Sequence, residues 1–263
     1  MPPLPPILTA DGSATLHHPG ARENYHALEG ARSEAEVKFV RPSELAARLA
    51  RGPVVLLDAG FGLGVNGRAA VETAARAAGH PLEVHGVEND PEALDRALSL
   101  SPDCPMLRAL RRHGVWESPH ARVIFAPMDL RHWVYQRAEP VDLVFHDPFS
   151  PMKNTEGWTV DLFRAYRRLL ADDGAVLTYS EATAVRAGLF QAGFAVGSTP
   201  AVSPHRGGTI ATPRREALAH PLDPAGFAAF PACVPYRDPT LADSGRTIRA
   251  RREAEVRNAP PIP

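Results

Sequence analysis

The stretch "PVVLLDAGFGLGVN", residues 53–66, constrains the fold more than any other part of the chain. A short, continuous apolar run reads as a strand buried on both faces. It enters a turn with glycine at positions 60, 62 and 64 and leaves as an Ala-rich helical segment from about Val65 to Ala78. Glycine is needed where the backbone turns tightly and must approach a ligand with no Cβ in the way. A strand–glycine turn–helix unit of this kind opens a parallel α/β sheet.

The remaining pattern continues that sheet. "LEVHGVE" (82–88), "ARVIFAP" (121–127), "VDLVFHD" (141–147), "GAVLTYS" (174–180), "FAVGST" (194–199) and "GGTIAT" (207–212) read as strands. "PEALDRALSL" reads as a helix with Pro91 in its first turn. "TVDLFRAYRRLL" is amphipathic, with Leu162, Tyr166, Leu169 and Leu170 on one stripe. Residues 103–118 form an apparent insertion with a short basic helix. Asp11-Gly12 marks a hairpin near the N-terminus. Alternating strands and helices predict a doubly wound, mostly parallel, Rossmann-like α/β sheet with helices on both faces. The expected organisation is an N-terminal hairpin and lead-in over 1–45, a cofactor-binding core over 46–237 and a basic tail over 238–263. Proline-rich ends, 1–6 and 258–263, are expected to be mobile.

Composition narrows the class. With only Cys104 and Cys233, neither a disulfide framework nor a Cys-rich zinc site is expected, and no metal is assigned. No apolar run reaches the roughly 20 residues of a membrane span, and no signal pattern opens the chain, so a cytoplasmic location is expected. The net charge of −1 gives no global pull toward nucleic acid. Arginine is nonetheless clustered, at Arg108, Arg111 and Arg112, at Arg206, and along the tail from Arg246 to Arg257. Such clusters can meet phosphates even when the total charge is near zero.

The candidate cofactor residues follow from spacing. Asp58 heads the pattern D-x-G-x-G-x-G through Gly60, Gly62 and Gly64. Glu88 ends the second strand, where a carboxylate can accept both hydroxyls of a ribose. Asp129 follows the third strand, placed to accept a hydrogen bond from an adenine amino group. The acid-headed turn suits S-adenosylmethionine, which has no pyrophosphate and carries a cationic amino group. A dinucleotide pattern starting at Gly62, "GLGVNG", keeps an NAD reading open. At the end of the fourth strand, "DPFSPMKN" places Asp147 beside the cofactor's reactive end. A nitrogen that attacks a sulfonium methyl must be held in line, so its N–H groups need an acceptor such as a carboxylate. Pro148 stiffens the backbone that aims it. Asp147 as a plain turn cap is the alternative. Phe149, Lys153 and Asn154 are candidate substrate contacts, and Trp158 reads as a structural plug.

These motifs resemble the MnmC-type tRNA methyltransferases, in particular their stand-alone form without an oxidase domain. The family's glycine turn reads GFGTGLN, and this chain has "GFGLGVN". Its fourth-strand loop reads D-(A/G)-F-(A/S)-P-x-K-N-P-E-(L/M)-W, against "DPFSPMKNTEGW" here. "TYSEATAVRAGLFQAGFAV", "RGGTIAT", "DGSATLHH", "ENYHALEGARSEAEVKFV" and "PYRDPTL" are similar to further family segments. The resemblance implies methyl transfer from S-adenosylmethionine to the aminomethyl group of a tRNA wobble uridine, in the anticodon region. It implies that Gly60, Gly62, Gly64 and Glu88 hold the cofactor and that Asp147 faces the methyl group and the amine. It also implies a separate enzyme or route supplying the aminomethyl substrate. Leu63, Val65, Pro148, Thr155 and Gly157 depart from the family pattern, as does His205-Arg206, where the family often has a basic pair. Three alternatives stay open: a methyltransferase of another amine, a non-catalytic nucleotide-binding shell, and NAD-dependent redox chemistry. Asp58, Glu88, Asp129 and Asp147 together speak against the shell, and no nicotinamide site is evident.

Overall fold

The computed structural model describes residues 4–199, 201, 206–225 and 233–258. Residues 1–3 and 259–263, from the ends expected to be mobile, lie outside the described residues, as does His205. The Asp11-Gly12 turn joins β1 (Ile7–Leu8) to β2 (Ala14–Thr15) as an antiparallel pair. A second small hairpin, β3 (His17–His18) and β4 (Glu23–Asn24), follows, then α1 (Ala31–Ala35) and α2 (Leu45–Leu49). The core runs β5 (Val54–Ala59), α3 (Val65–Ala77), β6 (Leu82–Glu88), α4 (Ala93–Leu100) and α5 (Pro105–His113). It continues with β7 (Val115–Glu117), β8 (Ala121–Pro127), α6 (Leu130–Gln136), β9 (Val141–His146) and α7 (Val160–Leu169). β10 (Leu170–Thr178), α8 (Thr183–Gln191), β11 (Ala195–Thr199), β12 (Gly208–Thr212) and α9 (Gly245–Asn258) complete it.

Eight strands form one sheet in the order β11-β12-β10-β9-β5-β6-β8-β7. β8, β6, β5, β9 and β10 are mutually parallel, while β12 runs antiparallel to both neighbours and β7 antiparallel to β8. Side chains alternate across β5. Val54 and Leu56 pack with Phe39, Ala70 and Phe145 on one face, and Leu57 and Ala59 with Val144, Leu162 and Phe163 on the other. Both faces are covered, which is why these strands read as continuous apolar runs. The chain order reverses between β5 and β9, so the crevice above their carboxyl ends is the natural ligand site of such a sheet.

Three elements differ from expectation. Helix α7 ends at Leu169, and Leu170 opens β10 instead of closing the helical stripe. The segment 103–118 holds the expected short helix, α5, but its end is part of the sheet, pairing Val115, Trp116 and Glu117 with β8. Pro91 lies in the turn before α4, which starts at Ala93.

Candidate active site

The glycine turn and the fourth-strand loop touch each other across the switch point. Asp147 N–H donates to Ala59 O at 2.9 Å, and Gly60 N–H and Phe61 N–H both donate to Val87 O at 3.1 Å. Gly60 has φ +83°, and a Cβ there would lie 2.9 Å from both Asp147 O and Pro148 N. Gly62 has φ +51° and faces the Tyr25 ring. Gly64, with φ +72°, serves another purpose: it leads into α3 and makes room for the Phe61 ring, 2.9 Å from its missing Cβ. Gly67 and Gly86 crowd the same ring. The buried Phe61 side chain is thus a peg that pins the turn, and its packing explains three of the glycines.

Above the turn lies a cavity of about 1020 Å³ whose wall includes Gly60, Gly62, Glu88, Asp129, Asp147, Phe149, Lys153 and Asn154. Glu88 Oε2 accepts the Gly62 N–H at 2.9 Å and Oε1 the Asp90 N–H at 2.9 Å. The carboxylate faces the cavity with acceptor capacity beyond these two bonds, as a ribose hydroxyl requires. Asp129 caps α6 by accepting the Arg131 N–H at 2.8 Å and also pairs with the Arg131 guanidinium at 2.7 Å. Arg131 in turn holds the fully buried Asp238 at 3.0 Å. Burial works to raise the Asp129 carboxyl, but hydrogen bonds from Arg131 win and hold it below its ordinary value. Asp147 is half-buried at the cavity wall and accepts the Asn66 amide at 2.7 Å. Burial first, then the nearby Glu34 charge, pushes its carboxyl well above the ordinary carboxylate range.

The loop after Asp147 builds one wall. The Phe149 ring sits 5.0 Å from His18 and 5.2 Å from Tyr25, and its carbonyl accepts the Trp158 indole N–H at 2.8 Å. Trp158 is fully buried, the structural plug its position suggested. Pro148 O accepts the Tyr179 hydroxyl at 3.1 Å. Ser150 is tied to Glu23 by its N–H and its hydroxyl, so the β3–β4 hairpin is fastened over the cavity.

Several site residues expected from sequence lie elsewhere. Asp58 is fully buried under the glycine turn and does not line the cavity. Both its oxygens lack hydrogen bonds, the Gly67 N–H approaching without closing one, and burial pushes its carboxyl up. Gly64 likewise faces Phe61 rather than the cavity. Arg111 is engaged with Asp95 through two contacts, at 2.6 and 3.2 Å, while Arg112 and Arg206 are exposed and away from the cavity wall. The tail folds as α9 and engages three of its arginines, Arg249 on Thr155, Arg251 on Asp243 and Arg252 on the Val234 carbonyl, while Arg246 and Arg257 stay exposed. Conversely, the wall includes Glu34, Lys38, Asn66 and Tyr179, which spacing alone did not single out.

Two expected results follow from this geometry. Glu88→Ala removes a charged acceptor and the brace on Gly62 together, so cofactor binding should weaken by about 1.5–3 kcal/mol. Calorimetry showing unchanged affinity would remove Glu88 from the site. Asp58 has a raised carboxyl, so the stability it contributes is complete below its unfolded value of 3.8 and is lost as pH rises through its folded value. Asp58→Asn should therefore gain melting temperature relative to the parent protein as pH increases above about 4. Buried His26 and His146, held near 4 and 3, run in the opposite sense in both proteins, so the difference between the two melts is the quantity to read. A difference that stays flat from pH 4 to 8 would contradict the buried, unpaired state of Asp58.

A parallel sheet with a glycine turn and a carboxylate at its switch point, around a cavity of this size, is a nucleoside-cofactor site. The S-adenosyl-L-methionine-dependent methyltransferase family matches residues 108–214. An uncharacterized protein of Methanocaldococcus jannaschii is 29% identical, covering 94% of this chain and 71% of that protein. The tRNA 5-methylaminomethyl-2-thiouridine biosynthesis bifunctional protein MnmC of Methylibium petroleiphilum is 32% identical over 75% of this chain. This chain spans 33% of that bifunctional protein's length. The crystal structure of MnmC2 from Aquifex aeolicus superposes with a TM-score of 0.81 at 28% identity, covering 97% of this chain and 84% of that one. The chain is an S-adenosylmethionine-dependent methyltransferase similar over most of its length to the MnmC type, and its cofactor is S-adenosylmethionine. When bound, the cofactor supplies an electrophilic methyl group on a sulfonium. The residues present fit it: the Gly60–Gly62 turn admits close approach of a ligand, Glu88 offers acceptor capacity, and the cavity offers carboxylates to a cation.

Proposed function

We propose that the protein methylates the aminomethyl nitrogen of 5-aminomethyl(-2-thio)uridine at the tRNA wobble position, giving the 5-methylaminomethyl form. The observation behind this is the joining of the cofactor turn to the Asp147–Asn154 loop in one cavity, with an aromatic wall of His18, Tyr25 and Phe149. An exposed base can stack on such a wall, and single-stranded loops are where RNA offers one. The bifunctional relative is named for biosynthesis of tRNA 5-methylaminomethyl-2-thiouridine, the product of this reaction on a 2-thiolated base. In this reading Asp147 accepts an N–H of the amine and aims its lone pair, while Lys153 and Asn154 contact the base or a phosphate. A cytoplasmic protein acting after a separate aminomethyl-forming enzyme suits that role. Wobble nucleosides from cells lacking the protein should accumulate the aminomethyl form. Retention of normal methylaminomethyluridine in those cells would overturn the reading.

RNA grip outside the cavity should rest on cations that have no partner to give up. Among the described residues Arg112 and Arg206 meet that condition, as do the exposed Arg246 and Arg257, whereas Arg111, Arg249, Arg251 and Arg252 are engaged. Charge reversal at Arg112 or Arg206 should flatten the slope of log affinity for tRNA against log salt by roughly 0.7–0.9 each. Arg111→Glu should change it less. An unaltered slope in all three variants would place the RNA on another face.

A further inference from the structure

Beside Asp147 the cavity wall holds a buried ion pair. Lys38 Nζ lies 3.1 Å from Glu34 Oε1, with side chains only 10% and 12% exposed. Both residues line the cavity. Taking two charges out of water is costly, and a buried pair contributes little net stability compared with apolar packing. The backbone is also irregular here: α1 runs on into a single π-helical turn, Glu36–Val40, a form that collects at functional sites. That turn buries Lys38 together with Val37, Phe39 and Val40. After burial itself, the Glu34 charge is the largest influence raising the Asp147 carboxyl, and Lys38 acts in the opposite sense. Two acids and one ammonium thus share a pocket, leaving one acid in excess for an incoming cation.

We propose that Glu34 is the proton acceptor for the substrate amine, and that Lys38 occupies its carboxylate until that amine arrives. The proposal rests on the amine-methylating reading given above. A primary alkylamine enters as an ammonium and has no lone pair with which to attack. Glu34 takes one proton, forming an O–H bond while the N–H electrons remain on nitrogen. Nitrogen then forms the C–N bond as the C–S electrons go to sulfur, leaving a neutral thioether and a secondary ammonium product. The Glu34 proton returns to solvent on product release. Asp147 is the orienting group, since Asn66 already holds one of its oxygens. The charged and titratable groups facing Glu34 are Lys38 on its own segment, Asp147 after β9, Tyr179 after β10 and His26 in the lead-in, with Asp11 behind His26.

Glu34→Gln removes the charge yet keeps an amide oxygen for the Ala27 N–H, which Glu34 Oε2 accepts at 3.0 Å. Methylammonium binding to protein loaded with S-adenosylhomocysteine reads the pocket without any RNA. The parent protein should bind it about tenfold more tightly than Glu34→Gln, the loss expected for one hydrogen bond to a charged group. Lys38→Met, which frees Glu34, should bind methylammonium more tightly than the parent. Equal affinity across the three proteins overturns the proposal, whatever the natural substrate. With tRNA bearing aminomethyluridine, Glu34→Gln should slow single turnover about 10²-fold near pH 7. The rate should recover toward the pH at which the amine loses its proton in water, and Glu34→Asp should restore part of it. A deficit of equal size at every pH marks a merely structural role and overturns the proposal. Failure of the parent protein to methylate that tRNA contradicts the proposed function instead, and methylammonium binding then decides the role of Glu34.

Discussion

Asp147→Asn is expected to leave a folded protein that binds S-adenosylmethionine but transfers its methyl group at least about 10²-fold more slowly, within the range for losing a positioned acid–base group. Folding should survive because an amide oxygen can still accept from Asn66, which now donates to Oδ2 at 2.7 Å. Burial raises the Asp147 carboxyl, so exchanging it for a neutral group of the same size removes an electrostatic cost rather than adding one. The rate should suffer because an amide accepts more weakly than a carboxylate and cannot balance an ammonium next to a sulfonium. Two unit cations 4 Å apart repel by about 4 kcal/mol at an effective dielectric of 20, and the side chain at this position sets how much of that is offset. Single-turnover rates at saturating cofactor and tRNA, beside a thermal melt, separate the two effects. Near-normal rates would reduce Asp147 to a turn cap.

Gly60→Ala is expected to damage stability and cofactor binding together. The new Cβ would sit 2.9 Å from Asp147 O and from Pro148 N, both backbone atoms with no rotamer to move. The φ of +83° adds strain of about 1–3 kcal/mol for a residue with a side chain. At this chain length that strain alone lowers the melting temperature by roughly 2–12 °C. The clash acts at the junction between the glycine turn and the Asp147 loop, so affinity for S-adenosylhomocysteine should fall as well. Gly12→Ala is the matched control: its φ is +80°, yet open space surrounds the added Cβ. It should show the strain without the loss of affinity. Equal affinity in the two variants would mean that the junction does not shape the cofactor site.

Features set by the local chain were legible in the sequence, and those set by distant partners were not. β5 and β9 are apolar runs long enough to identify, and the acid that follows β9 lies at the switch point because the strand order puts it there. β7 escaped because three residues carry no period, and only pairing with β8 makes them a strand. The spacing of Asp58 and Gly64 was correct, but spacing does not tell which way each faces. Asp58 turns under the loop, and Gly64 answers to the Phe61 ring. Arg111 was visible as a cation, whereas its partner Asp95 lies sixteen residues away on another helix. Glu34 and Lys38 lay in a quoted segment, yet a π-helical turn obeys no helical period. The lead-in is brought to the cavity by long-range contacts such as Glu23 with Ser150.

The central claim is that this cavity delivers a methyl group to an amine on a wobble uridine. Its most direct measurement uses purified protein, S-adenosylmethionine carrying an isotopically labelled methyl group, and tRNA whose wobble uridine bears the aminomethyl group. Nucleoside mass spectrometry of the product should place the label on that nitrogen, as 5-methylaminomethyluridine, with Asp147→Asn giving little in the same time. Label on another nucleoside, or none despite measured cofactor binding, would contradict the account.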